Sequence, residues 1–250
     1  MRRILNIVIL LAPIFVSAQI ITDRPDFTES AMVVPRGSYQ LESVIARISQ
    51  NKSLSPLDWS MPNVLLRSGI NDKLELRMFM NNSVLRSNTT PNVQSSGLNN
   101  FEIGFKYAFK EKEDVTQLGL MGHWVLPTDD FSRSYDYNNY LIGLLGSSVL
   151  GKHWSVGYNL VYQARNSMED IAFATISFVD AINDKWSFFI EFKGEMDFNQ
   201  YQRGFLHSGF TYLVNENMQL DFSYANSADS DGDRSNLLSS GLSFLILPKR

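Results

Sequence analysis

From Ser38 onward, apolar residues recur at every second position in one segment after another. Phe101, Ile103, Phe105, Tyr107 and Phe109 fall on one side, while Glu102, Gly104, Lys106 and Ala108 fall on the other. Successive side chains leave a pleated backbone on opposite faces, so a period of two predicts strands. About twelve segments of strand length follow, near the ten residues that a tilted membrane-crossing strand needs. They centre on Tyr39 to Ser49, Trp59 to Ile70, Lys73 to Leu85, Asn100 to Phe109, Val115 to Leu126 and Asn139 to Leu150. The second half adds His153 to Gln163, Asp170 to Ile182, Lys185 to Met196, Arg203 to Val214, Met218 to Ala225 and Asn236 to Leu247. Three stretches, Ser43 to Ile48, Leu141 to Leu145 and Ile171 to Phe178, do not alternate cleanly and leave the first, sixth and eighth strands without a firm register.

The connections alternate in length. Asn71-Asp72, Gly151-Lys152, Asn183-Asp184 and Asn215-Glu216-Asn217 are tight turns of residues that accept hairpin dihedrals at little cost. Between them fall the longer links Gln50 to Asp58, Ser87 to Asn99, Pro127 to Asn138, Ala164 to Glu169, Asp197 to Gln202 and Asn226 to Ser235, with Glu111 to Asp114 intermediate. A soluble sandwich could share the alternation. Short turns at one end and long loops at the other, however, follow the outer-membrane barrel plan, in which the short turns are periplasmic. Tyr107, Phe109, Trp154 and Trp186 near the short turns, and Trp59, Tyr140 and Tyr162 near the other end, suit interfacial aromatic girdles. The predicted fold is therefore all-β: a single transmembrane antiparallel barrel of about twelve strands, covering residues 38–250.

Ahead of the barrel, Arg2 and Arg3, the apolar run Ile4 to Val16 and the small residues at Val16-Ser17-Ala18 read as a secretory signal peptide over 1–18. An extended segment over 19–37 follows. The chain of 250 residues has no cysteine, which excludes disulfides and thiol chemistry. A net charge of −4 and a pI near 5.4 argue against nucleic acid as a partner. A mean hydropathy of −0.14 is too low for a helical membrane protein, yet compatible with a barrel whose alternate residues meet lipid. Near the end, Ser239-Ser240-Gly241-Leu242-Ser243-Phe244 has the form of a last-strand signal for the outer-membrane assembly machinery, although the chain closes with Pro248-Lys249-Arg250 instead of an aromatic.

The segment Ile21-Thr22-Asp23-Arg24-Pro25-Asp26-Phe27-Thr28-Glu29-Ser30, with Val34-Pro35-Arg36-Gly37-Ser38-Tyr39-Gln40-Leu41-Glu42 after it, resembles the opening of the bacterial outer-membrane family labelled for the meta pathway of phenol degradation. The resemblance implies a small outer-membrane barrel with a transport role. Physically, Asp23, Arg24, Asp26 and Glu29 surround Pro25, which disfavours helix and holds the stretch extended. So charged a stretch suits neither lipid nor unpaired burial. Two readings stand: a plug inside or across the periplasmic mouth with Arg24 paired to luminal carboxylates, or else a solvated periplasmic tail or a recognition element for assembly.

On the strand faces, the predicted lumen holds Glu42, Arg67, Glu75, Arg77, Glu102, Lys106, His123, Glu191, Lys193 and Asp221. Mixed charge of this kind lines a selective, narrow pore or braces a closed one. A hydrolase reading rests on His153-Trp154-Ser155 with Asn166 beyond. If Trp154 faces lipid, His153 and Ser155 turn inward near the short turns, and no oxyanion site is marked. Asp229-Ser230-Asp231-Gly232-Asp233 starts like a calcium loop but lacks the later acidic residue, since Ser239 and Ser240 stand there. The functional expectation is a passive channel for small solutes in the outer membrane, with no catalysis, cofactor or metal. Its expected partners are outer-membrane lipid, the assembly machinery and a small solute. The rivals are a structural or adhesion barrel and a lipid hydrolase.

Overall fold

In the computed structural model, residues 20–50, 57–87, 93–109, 115–126, 139–166, 169–199 and 202–248 are described. The signal-peptide reading, the Glu111 to Asp114 link and the Pro127 to Asn138 loop lie outside them. Twelve strands form one closed antiparallel barrel: β1 Tyr39–Gln50, β2 Leu57–Asn71, β3 Leu74–Ser87, β4 Val93–Ala108, β5 Thr116–Leu126 and β6 Asn139–Val149, then β7 Trp154–Ala164, β8 Ile171–Ala181, β9 Trp186–Asp197, β10 Gln202–Asn215, β11 Met218–Asp229 and β12 Arg234–Ile246. Each strand pairs with its neighbours in sequence, and β1 closes on β12 from Tyr39↔Ile246 to Gln50↔Ser235. Closure leaves no open edge, so every strand finds its backbone partners within the barrel.

Burial runs opposite to that of a water-soluble protein. Arg67, Glu75, Lys106 and Glu191 are 0% exposed, whereas Leu144 is 55% and Leu160 58% exposed. Such a surface is stable only where hydrocarbon surrounds it, which decides for the membrane barrel over the sandwich. Tyr107, Phe109, Trp154 and Trp186 point outward near the short turns, and Trp124 stacks on Tyr140, 6.3 Å between ring centres, toward the other rim.

Several strands outrun their sequence-based bounds. β4 begins at Val93 and β11 ends at Asp229, so most of the expected loops Ser87 to Asn99 and Asn226 to Ser235 is strand. Their Ser, Asn and Gly residues read as loop because the apolar alternation that marks a strand is missing from them. In β2, Pro62 lacks the N–H that a ladder requires, and the pairing with β3 shifts between Ser60 and Asn63.

The three strands without firm register do alternate in the structure. Val44, Leu145, Phe173 and Thr175 face inward, while Ile45, Leu144 and Ile176 face out. Apolar residues on both faces are what blurred the pattern.

Candidate functional site

The site is built where residues 20–37 enter the barrel. At the short-turn rim Ile20 N–H donates to Glu216 O at 2.9 Å, and Gly37 N–H donates to Gly69 O at 2.8 Å. Between these anchors the chain rises into the lumen and returns. Ala31 is 0% exposed and packs with Met121 and Leu145. The wall yields where the segment presses closest: a Cβ on Gly69 would lie 2.2 Å from Pro35 O, and one on Gly157 would lie 2.9 Å from the Thr28 methyl.

The charges of the segment complement those of the wall. Asp23 accepts from Lys106 Nζ at 2.8 and 2.7 Å, and lies 3.2 Å from Arg67 and 3.3 Å from Arg77. Glu29 pairs with Arg77 and lies 3.6 Å from Lys106. The same cations meet wall carboxylates: Arg67 reaches Glu42 at 3.0 Å and donates to both oxygens of Glu75 at 2.9 Å. Arg24 extends the other way, to Asp221 at 3.5 Å. Wall carboxylates also hold the segment backbone. Glu42 accepts from Asp23 N–H, Glu75 from Val34 N–H at 2.8 Å, and Glu191 from Phe27 N–H at 2.8 Å. Burying these groups is tolerable because each charge meets an opposite charge and most make further hydrogen bonds.

The predicted luminal residues thus divide by role. Arg67, Glu75 and Lys106 are enclosed beneath the segment, and Glu191 is enclosed with His207, whose Nδ1 lies 2.9 Å from the Glu191 carboxylate. Glu102 pairs with His123 at 2.7 Å. Lys193 is 2.6 Å from Glu195, and its ammonium lies 4.8, 4.5 and 5.1 Å from the rings of Phe27, Phe173 and Phe205. Asp26 lines an inner cavity beside Pro25.

Two cavities lie on opposite sides of the segment. The outer one, about 210 Å³, has apolar walls from Val44, Leu65, Phe79, Met121, Leu141, Val161 and Phe173, with Asn63 and the His123–Glu102 pair among them. The inner one, about 240 Å³ and nearer the short turns, is rich in hydroxyls: Thr22, Thr28, Ser30, Ser147, Ser177, Ser187 and Thr211. Arg24 and Glu29 border both. Sequence reasoning missed Phe27, Phe79, Phe173, Asn159 and His207. For His207 a signal existed, because it shares a face with Arg203 two residues per step away and pairs across with Glu191. Asn159, whose side-chain amide in the orientation that satisfies both its ends donates to Glu29 O at 3.1 Å and accepts Glu29 N–H at 2.6 Å, gave none.

The other candidates come apart. His153 and Ser155 lie at the short-turn rim and Asn166 beyond the opposite end of the 11-residue β7, about 36 Å away at strand rise. The Asp229 carboxylate accepts from Asp231 N–H at 3.0 Å and Asp233 N–H at 2.8 Å, so it caps its own turn. Among the described residues no cluster of metal-ligating side chains occurs.

The sequence profile of the family described as "Putative MetA-pathway of phenol degradation" matches residues 22–244, from the luminal segment to the last strand. The chain belongs to that family. Its fold is shared with solved outer-membrane proteins. The COG4313 outer membrane channel from Pseudomonas putida F1 superposes with a TM-score of 0.62 at 12% identity, over 86% of this chain and 98% of that one. The NanC porin gives 0.59 at 12% identity, over 81% and 98%. The KdgM porin gives 0.54 at 11%, again over 81% and 98%. At such identities the similarity is one of fold. No curated protein sequence matches the chain.

Proposed function

We propose that this family member is an outer-membrane channel for passive passage of small organic solutes, with the short turns in the periplasm and residues 20–37 as a seated constriction. The observation that carries this reading is the pair of cavities on either side of the segment, sharing Arg24 and Glu29 as their common boundary. A solid structural barrel would fill that space with side chains. The apolar wall of the outer cavity suits a solute with an apolar body, and volumes near 200 Å³ suit a small one. The exported chain would reach the outer membrane after removal of residues 1–18, be inserted by the assembly machinery through its last strand, and be surrounded there by lipid. The described residues offer no nucleotide-binding domain, so the driving force is the solute gradient.

The test is conductance of the refolded mature chain in a planar bilayer, beside a form that lacks residues 22–30. Discrete steps in the full chain support a channel, and larger steps in the shortened form support the constriction. Silence from both, with folding shown, overturns the channel and leaves the luminal ion pairs as a structural brace.

A further inference from the structure

We infer that the lumen, with its segment seated, passes cationic solutes in preference to anionic ones, and that Arg24 and Glu29 at the boundary between the cavities tune this preference. The inference rests on the channel reading above and adds the charge class of the solute. Among the described luminal residues, carboxylates outnumber lysines and arginines. Both luminal histidines already face a carboxylate, His123 at Glu102 and His207 at Glu191. A narrow lumen walled by hydrocarbon focuses such an excess, because field lines cannot spread into the wall.

The excess is unevenly placed. On the β1 to β4 side, three cations meet Glu42 and Glu75, and the segment supplies Asp23 and Glu29 in addition. On the β9 to β11 side, Asp221 is buried and faces Arg24 at 3.5 Å. A solute that moves from one cavity to the other passes Arg24 and Glu29, whose side chains are 20% and 21% exposed. These two act in opposite senses on a background that is already negative.

The experiment is the reversal potential of the full mature chain in a bilayer under a KCl gradient, repeated for R24Q and E29Q. The wild type is expected to prefer K⁺ over Cl⁻. E29Q should shift the reversal potential toward that of Cl⁻, and R24Q, which removes a cation from the boundary, should shift it further toward that of K⁺. A change in barrel stability alone would not move the two in opposite directions. Anion preference or no preference in the wild type overturns the inference without any variant, as does a shift of both variants in the same direction. Absence of conductance from folded protein overturns the channel reading, and this inference with it.

Discussion

Asp23 accepts two hydrogen bonds from the Lys106 ammonium across a sequence separation of 83 residues, at 2.8 and 2.7 Å. Arg67 and Arg77 approach the same carboxylate at 3.2 and 3.3 Å. One aspartate on the entering segment thus answers three cations on β2, β3 and β4, and Glu42 with Glu75 answers the remainder. The segment is seated by charge that the wall alone does not balance.

Asp23→Ala is expected to leave the buried Arg67, Arg77 and Lys106 under-compensated, at a cost of about 3–5 kcal/mol. Urea unfolding in detergent micelles measures it. The segment should also become cleavable by protease while the barrel stays intact. A stability within 1 kcal/mol of wild type, about the value of an exposed pair, would contradict the seating argument.

Gly69→Ala places a methyl group against the carbonyls of Pro35 and Val34, whose oxygens would lie 2.2 and 2.6 Å from it. Overpacking of this kind costs about 1–3 kcal/mol. Gly204→Ala, on the outward face with no atom within 4 Å, should stay within about 0.5 kcal/mol. Thermal melts of both variants in the same detergent make the comparison.

Phe27→Ala removes one of three rings around the Lys193 ammonium and the contact with His207 at 4.6 Å between ring centres. Because Phe27 borders the outer cavity, its loss is expected to widen the constriction and raise unit conductance. Unchanged conductance would place the narrowest point elsewhere.

Leu144→Arg puts a charge on the lipid face of β6, where Leu144 is 55% exposed. Folding into vesicles should weaken by roughly 2–4 kcal/mol, the cost of such a charge near the bilayer midplane. In a water-soluble protein an exposed leucine would accept arginine at little cost, so equal folding would count against a lipid-facing wall.

Much of the architecture was legible in the chain. The alternation around Phe105 and Lys106 assigned both faces of β4, and Asn183-Asp184 marked a hairpin that brings Asn183 and Trp186 together at the rim. The site was legible in part. The inward positions of Arg67, Arg77 and Lys106 followed from strand faces, but the apolar lining from Val44, Leu141 and Phe173 did not, because an apolar residue on the luminal face looks the same in sequence as one that meets lipid. The strands that resisted assignment, β1, β6 and β8, each put one of these apolar residues on the wall of the outer cavity.

Side-chain alternation is local: it depends on the geometry of one strand, so the sequence by itself determined the faces of nine strands and most hairpin positions, and it favoured a barrel. Which residues meet across the lumen is set by closure of β1 on β12, by the register of every pair between, and by the path of residues 20–37 through the enclosed space. Only the tertiary structure decided that Asp23 would face Lys106, that Arg24 would face Asp221, and that two cavities would remain, because those distances accumulate over twelve pairings and no single strand encodes them.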